Sequence, residues 1–161
     1  MTTPLFAIHV FQKTRQTVYD AVADLTDTQL LAVPTGFANN IAWNIGHIIT
    51  IQQAIVYGLS GLEQAISAEI YRPLYWANTS PADWGEPPNS AELIQMLLDH
   101  PQQLAADYAA GKFANTHYKE RTSGSGIYVN NIEDAISYNN YHEGLHLGAI
   151  LALKEFVKCE V

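Results

Sequence analysis

Tyr141-His142-Glu143-Gly144-Leu145-His146-Leu147-Gly148 lies within a long helical pattern near the end of the chain. Ile132, Ala135, Ile136, Tyr138, Asn139, His142, His146, Ile150 and Leu153 populate one broad face of that pattern, which opens at Asn130 or Asn131 and runs to about Val157. His142 and His146 stand four residues apart, so on a helix their imidazoles stack one turn above the other and can grip one metal ion. A second histidine-bearing apolar run, Asn40-Ile41-Ala42-Trp43-Asn44-Ile45-Gly46-His47-Ile48-Ile49, lies about a hundred residues earlier. Asn39 or Asn40 can cap it, and it reads as a helix to about Tyr57, closed by Gly58 or Gly61. A metal shared by these two runs requires their helices to be neighbours.

Two further helices follow from the same periodicity. The first has Thr3 as cap and Pro4 at its first position, then Leu5, Ile8, Phe11, Val18, Val22 and Leu25 along one stripe. A single turn capped by Thr26 or Asp27 passes through Leu30 and Leu31 before Pro34-Thr35-Gly36 breaks it. Residues 71–89 read as a long connection with four prolines and with Trp76 and Trp84. The third long helix opens at Asn89, with Glu92 in capping-box register, and ends near Ala110 and Gly111; Pro101 inside it predicts a kink or a split. A second polar connection carries Ser123-Gly124-Ser125-Gly126 and a short extended piece at Ile127-Tyr128-Val129. The expected architecture is all-α, a four-helix bundle forming a single domain over residues 1–161. Its long middle connections permit crossovers.

Sixteen acidic residues against 8 basic ones give a net charge of -8, which disfavours phosphate backbones and anionic membrane surfaces as partners. The single cysteine, Cys159, excludes an intramolecular disulfide and is poorly placed as a nucleophile. The N-terminus lacks the pattern of a secretory signal, and no apolar run reaches the roughly 18 residues a membrane span needs. The expected location is cytoplasmic.

His47 sits among isoleucines, where an ionisable ring pays a desolvation cost unless its lone pair is used. Trp43, one turn earlier, is large enough to wall off one side of a site. His47, His142 and His146 are therefore the candidate ligands, leaving at least one position open to water or substrate, as in catalytic rather than structural sites. Zinc is the default ion, with nickel or iron also suited to imidazole. Neutral ligands are required, so affinity is expected to fall below about pH 6. His9, His100 and His117 have no such setting and read as surface residues. His142-Glu143-Gly144-Leu145-His146 also matches the H-E-x-x-H of zinc proteases, but Leu147 to Leu151 supplies no third histidine, so that reading is set aside.

The two motifs resemble signatures of the DinB-like (YfiT-like) metalloenzyme superfamily. Asn40 to Ile49 is similar to its second-helix run of tryptophan followed by histidine. His142 to Ile150 is similar to its last-helix pair of histidines followed by glycine. The resemblance covers the chain in length and helix order and implies a four-helix bundle with a three-histidine metal site matching His47, His142 and His146. It implies a metal-dependent hydrolase or a thiol-dependent transferase acting on a small molecule, possible substrates including a low-molecular-weight thiol. The alternative is a non-catalytic, stress-related metal- or ligand-binding bundle. Leu147 and Ala149 stand where the family often has a basic residue and a glutamine, so no substrate role is carried over to them.

Three other residues are candidates for catalysis. Arg15, on the apolar stripe of the first helix, either pairs with an inward carboxylate or faces the pocket as an anion clamp. Asn139 shares the face of His142. Glu143 lies about 100° around the helix from it and acts as a base, or as a partner behind the ligands, only where that edge borders the pocket. A homodimer is the expected assembly, through Tyr71, Tyr75, Trp76 and Trp84, with capping of the chain's own pocket as the rival role for these aromatics.

Overall fold

The computed structural model describes residues 5–160. The Thr3 cap and the Pro4 position lie outside the described residues. Helix α1 (Phe6–Val22) starts after Leu5 with no side-chain cap. Helix α2 (Asp27–Leu31) is a short turn opened by a capping box between Thr26 and Gln29. The Asn40 side chain accepts from the Trp43 amide at 2.7 Å and so starts α3 (Ile41–Gln52). That helix passes directly into a π-helical turn, Gln53–Gly58. Helix α4 (Ala68–Tyr75) and a 3₁₀ turn (Pro81–Asp83) precede α5 (Ser90–Ala109), which Asn89 caps. A two-residue ladder pairs β1 (Arg121–Thr122) with β2 (Tyr128–Val129), and α6 (Ile132–Glu160) ends the fold.

Two sequence expectations need correction. Residues 71–89 are not a bare connection: Tyr71 and Tyr75 lie on α4, which begins at Ala68, ahead of the proline-rich stretch that obscured it. Helix α5 is not split at Pro101 and runs from Ser90 to Ala109. Leu97 and Leu104, buried on either side of the proline, anchor both halves to the core and offset the lost backbone hydrogen bond.

The bundle consists of α1, α3, α5 and α6. Helix α1 packs against α5 and α6, and α3 packs against the same two, so α1 and α3 oppose each other across the bundle. Asn140 reaches the Ala7 carbonyl and Lys154 the Ala21 carbonyl, so α1 and α6 run in the same direction. Asn44 meets His146 whereas His47 meets His142, so α3 runs against α6. Gln53 meets His100 and Tyr57 meets Asp107, so α5 is parallel to α3. The order is up, down, down, up. Parallel α3 and α5 require a crossover, which the segment carrying α4 supplies. No described helix is long and apolar enough to cross a membrane.

The core divides in two. Val18, Val22, Ile41, Ile45, Leu97, Ile150 and Leu153 belong to one apolar cluster; Ile8, Phe11, Ile55, Leu104 and Ile136 belong to the other. Arg15 lies on α1 between Phe11 and Val18, at the boundary, and is only 1% exposed. Its Nε and Nη2 donate to the two oxygens of Glu143, each at 2.7 Å, and Nη2 also donates to the Ile48 carbonyl at 3.0 Å. The inward-carboxylate alternative for Arg15 is the arrangement observed. One guanidinium thereby links α1, α3 and α6.

Removing one member of such a pair leaves an uncompensated buried charge, so Arg15→Met or Glu143→Met alone should cost about 3–5 kcal/mol in urea unfolding. The double replacement should recover most of that loss, because it removes both desolvation penalties. Additive losses in the double variant would contradict this account.

Candidate metal centre

Helices α3 and α6 meet at the polar layer, and there His47, His142 and His146 converge, with their ligand-capable atoms within 4.8 Å of one another. The ring centroids of His47 lie 5.0 Å from His142 and 4.6 Å from His146, and those of His142 and His146 are 4.6 Å apart. The α-helical step of four residues stacks the pair on α6, as the sequence spacing predicts. His47 faces them because α3 is a neighbour of α6.

Each outer nitrogen has a distinct fate. His47 Nδ1 lies 2.6 Å from the Tyr75 carbonyl oxygen, which accepts only, so that nitrogen carries the proton and Nε2 keeps its lone pair. His146 Nδ1 lies 2.8 Å from Asn44 Oδ1, which orients that ring in the same way. His142 Nδ1 is buried and has no hydrogen-bond partner among the described residues. The Nε2 atoms of His47 and His142 are 3.2 Å apart. Two nitrogens bound to one tetrahedral zinc at about 2.0–2.1 Å stand roughly 3.3–3.4 Å apart, so the His47 and His142 pair is spaced for such an ion.

Burial sets the protonation of the cluster. It pushes His47 below the ordinary histidine range, against the pull of the Tyr75 carbonyl. Desolvation, with the charges of the neighbouring histidines, takes His142 down to about 3 and His146 to about 4. All three rings are therefore neutral at pH 7, as metal ligands must be. Trp43 stacks on His47 at 4.7 Å with an 11° interplanar angle and closes one side of the cluster.

Glu143, Arg15 and Asn139 sit together beside the histidines. Asn139 Nδ2 donates to Glu143 Oε1 at 3.4 Å, and Glu143 and Asn139 are buried with 0% and 1% exposure. Burial pushes the Glu143 carboxyl up, and Arg15 pulls it down. Helix α6 thus presents His142 and His146 to α3 and, about 100° around, Glu143 to α1.

His9 and His117 are exposed, as expected. His100 corrects its surface reading: it is buried beside Gln53, and burial lowers it to about 4. Its place on the inner face of α5, one residue before Pro101, keeps it in the core.

The sequence reading missed Asn44, the Tyr75 carbonyl and Gly46. Asn44 lies three residues before His47 in the same motif, so helical spacing could have exposed it. Gly46 needs α4 to be understood: a Cβ there would fall on the Tyr75 ring, which is itself 1% exposed and has no room to yield. Only glycine lets α4 dock closely enough for its last carbonyl to reach His47.

Fold and site together define a helical bundle with a three-histidine centre between two of its helices. The model of the DinB superfamily matches residues 11–150, and the chain belongs to that superfamily. No curated protein matches the chain.

The lowered histidines change the pH expectation. With His142 near 3 and His146 near 4, protons compete for these nitrogens only well below pH 6, so an ion held by the cluster should be retained below the point read from an unperturbed ring. The metal-free protein has the matching linkage. Between the unfolded value of about 6.5 and those lowered values the unfolded chain binds more protons, so stability is full above about pH 6.5 and declines as pH falls. Urea midpoints measured in EDTA from pH 7 to pH 4.5 should fall steadily; a flat profile would contradict neutral buried rings.

Proposed function

We propose that the chain binds one divalent transition-metal ion through His47, His142 and His146 and uses it as a metal-dependent hydrolase or thiol-dependent transferase on a small molecule. The observation that carries this reading is the fixing of two outer nitrogens, on Tyr75 O and Asn44 Oδ1, which leaves Nε2 lone pairs directed into a shared centre. A bound ion would supply Lewis-acid polarisation of a water, thiol or carbonyl. Zinc is the proposed ion, with nickel or iron as alternatives of the same ligand chemistry.

The chain's own residues prepare that centre. Trp43 excludes water from one face of His47. Tyr75 and Asn44 hold two rings in one tautomer. Arg15, Glu143 and Asn139 enter this reading as positioning residues that fix the register of α6 against α1 and α3. The competing function, metal or ligand binding without turnover, is favoured by one feature: Glu143, the acid of the motif, has both oxygens on Arg15 and no exposure.

Elemental analysis of untagged protein incubated with zinc should give about one ion per chain, and His47→Ala, His142→Ala or His146→Ala should lose most of that affinity. His9→Ala and His117→Ala should bind as wild type. Well under one ion per chain, or unchanged binding in His47→Ala, would refute the centre. Panels of esters, amides and thiols with electrophiles then separate the functions: turnover lost in His47→Ala supports the enzyme, and flat activity supports the binder.

A single cytoplasmic domain and a homodimer complete the proposal. Tyr75 and Trp84 pack within the chain's own core, at 5.9 Å between ring centroids, so the proposed dimer face moves to α6, where Tyr141, Leu145, Leu151 and Phe156 are exposed. Light scattering at micromolar concentration should show twice the 17.8 kDa chain mass, reduced to the chain mass by Leu145→Glu; a wild-type species at the chain mass would remove the dimer.

A further inference from the structure

A cleft of about 60 Å³, partly open to solvent, lies next to the histidine cluster. Ile51 and Ile55 of α3 and its π turn, Tyr138 of α6, Trp76, Tyr118 and Arg121 line it. Ile51 lies four residues after His47, and Tyr138 lies four before His142. Because α3 and α6 are antiparallel, both residues stand one turn away from the cluster on the same side. The Tyr138 ring is 6.1 Å from the His142 ring. Trp76 directly follows Tyr75, whose carbonyl holds His47. The segments that build the cluster therefore also build this cleft.

The charge at its mouth runs against that of the chain. Among the described residues, ion pairs engage Arg15, Lys112, Lys154 and Lys158. Lys13, Arg72, Lys119 and Arg121 appear in none of these pairs. Of these four, Arg121 lines the cleft, and Arg72 lies against the same lining residue, Trp76. The guanidinium carbons of Arg72 and Arg121 lie 4.9 and 6.0 Å from the Trp76 ring, which supports both side chains without neutralising them. The adjacent acid, Glu120, accepts a hydrogen bond from the Tyr128 hydroxyl. A chain with net charge -8 thus places at this apolar cleft an arginine, Arg121, that none of those ion pairs engages, with Arg72 on the same tryptophan.

We propose that this cleft binds a small molecule with an apolar body and an oxyanion end. The body lies along Ile51, Ile55 and Tyr138, and the oxyanion, a carboxylate or a phosphate, pairs with Arg121, with Arg72 beside it. An arginine fork matches either group through paired N–H donors. The opposite end of the molecule then points toward the histidines. That last placement rests on the proposed metal-dependent function; binding in the cleft does not.

Isothermal titration of 4-phenylbutyrate, 4-phenylbutyramide and 2-phenylethyl phosphate into zinc-loaded and EDTA-treated protein tests the assignment. At least one anion should bind about tenfold or more tightly than the amide, which corresponds to ~1.4 kcal/mol, and the tighter anion identifies the group. The advantage should vanish in Arg121→Gln and shrink in Arg72→Gln, with helical circular dichroism unchanged. An amide that binds as tightly as both anions overturns the inference, as does wild-type preference in Arg121→Gln. A preference retained in EDTA upholds the cleft even where the histidines prove to hold no metal. A preference that disappears in EDTA but survives Arg121→Gln puts the anion at the metal and overturns it.

Discussion

The buried pairing of Arg15 with Glu143 is the constraint around which the bundle is arranged. A guanidinium taken out of water loses several kcal/mol of solvation, and only a well-aligned partner offsets the loss. Glu143 supplies two parallel hydrogen bonds, and the Ile48 carbonyl supplies a third acceptor. Apolar packing alone tolerates sliding between helices, but this set of bonds does not. It sets α1, α3 and α6 in one register, and in that register His142, beside Glu143 in sequence, comes opposite His47.

That register places a polar layer between two apolar clusters. The lower helical turns of α1 pack with the far end of α5 and the start of α6, and the upper turns pack with α3, the start of α5 and the end of α6. The layer between them holds groups that the bundle must keep neutral or paired. Burial does the first for the histidines, and Arg15 does the second for Glu143. The histidine cluster that could hold a metal is therefore placed where the core is interrupted, with dry packing on both sides to hold its rings still.

Outside the bundle, one crossover contributes more than a connection. Parallel α3 and α5 cannot be joined by a tight turn, and the long segment between them has room for α4. Its docking on Gly46 brings a backbone carbonyl to His47 and leaves Trp76 at the edge of the cleft. The topological requirement and the orientation of the His47 ring thus share one stretch of chain. The same stretch carries Arg72, so it contributes to both the apolar wall and the positive rim.

Helical periodicity, Asn caps and the spacing of His142 and His146 determined the four long helices and the stacked pair, because these are local properties repeated every few residues. Composition determined that phosphate-rich partners are disfavoured. The isoleucines around His47 marked it as a ring with a use, since an isolated polar group is costly there. Tertiary structure decided the rest. Whether Arg15 paired or faced a pocket depended on Glu143, a residue 128 positions away. The reading of His100 failed because the following proline suggests a helix break, whereas packing on both sides carried α5 through it and buried the ring. Helix α4 was hidden by prolines that tolerate its short length, and the Tyr75 carbonyl has no side-chain signature at all. Backbone acceptors, long-range ion pairs and the crossover are set by which surfaces meet, and that information is distributed over the whole chain rather than written in any one segment.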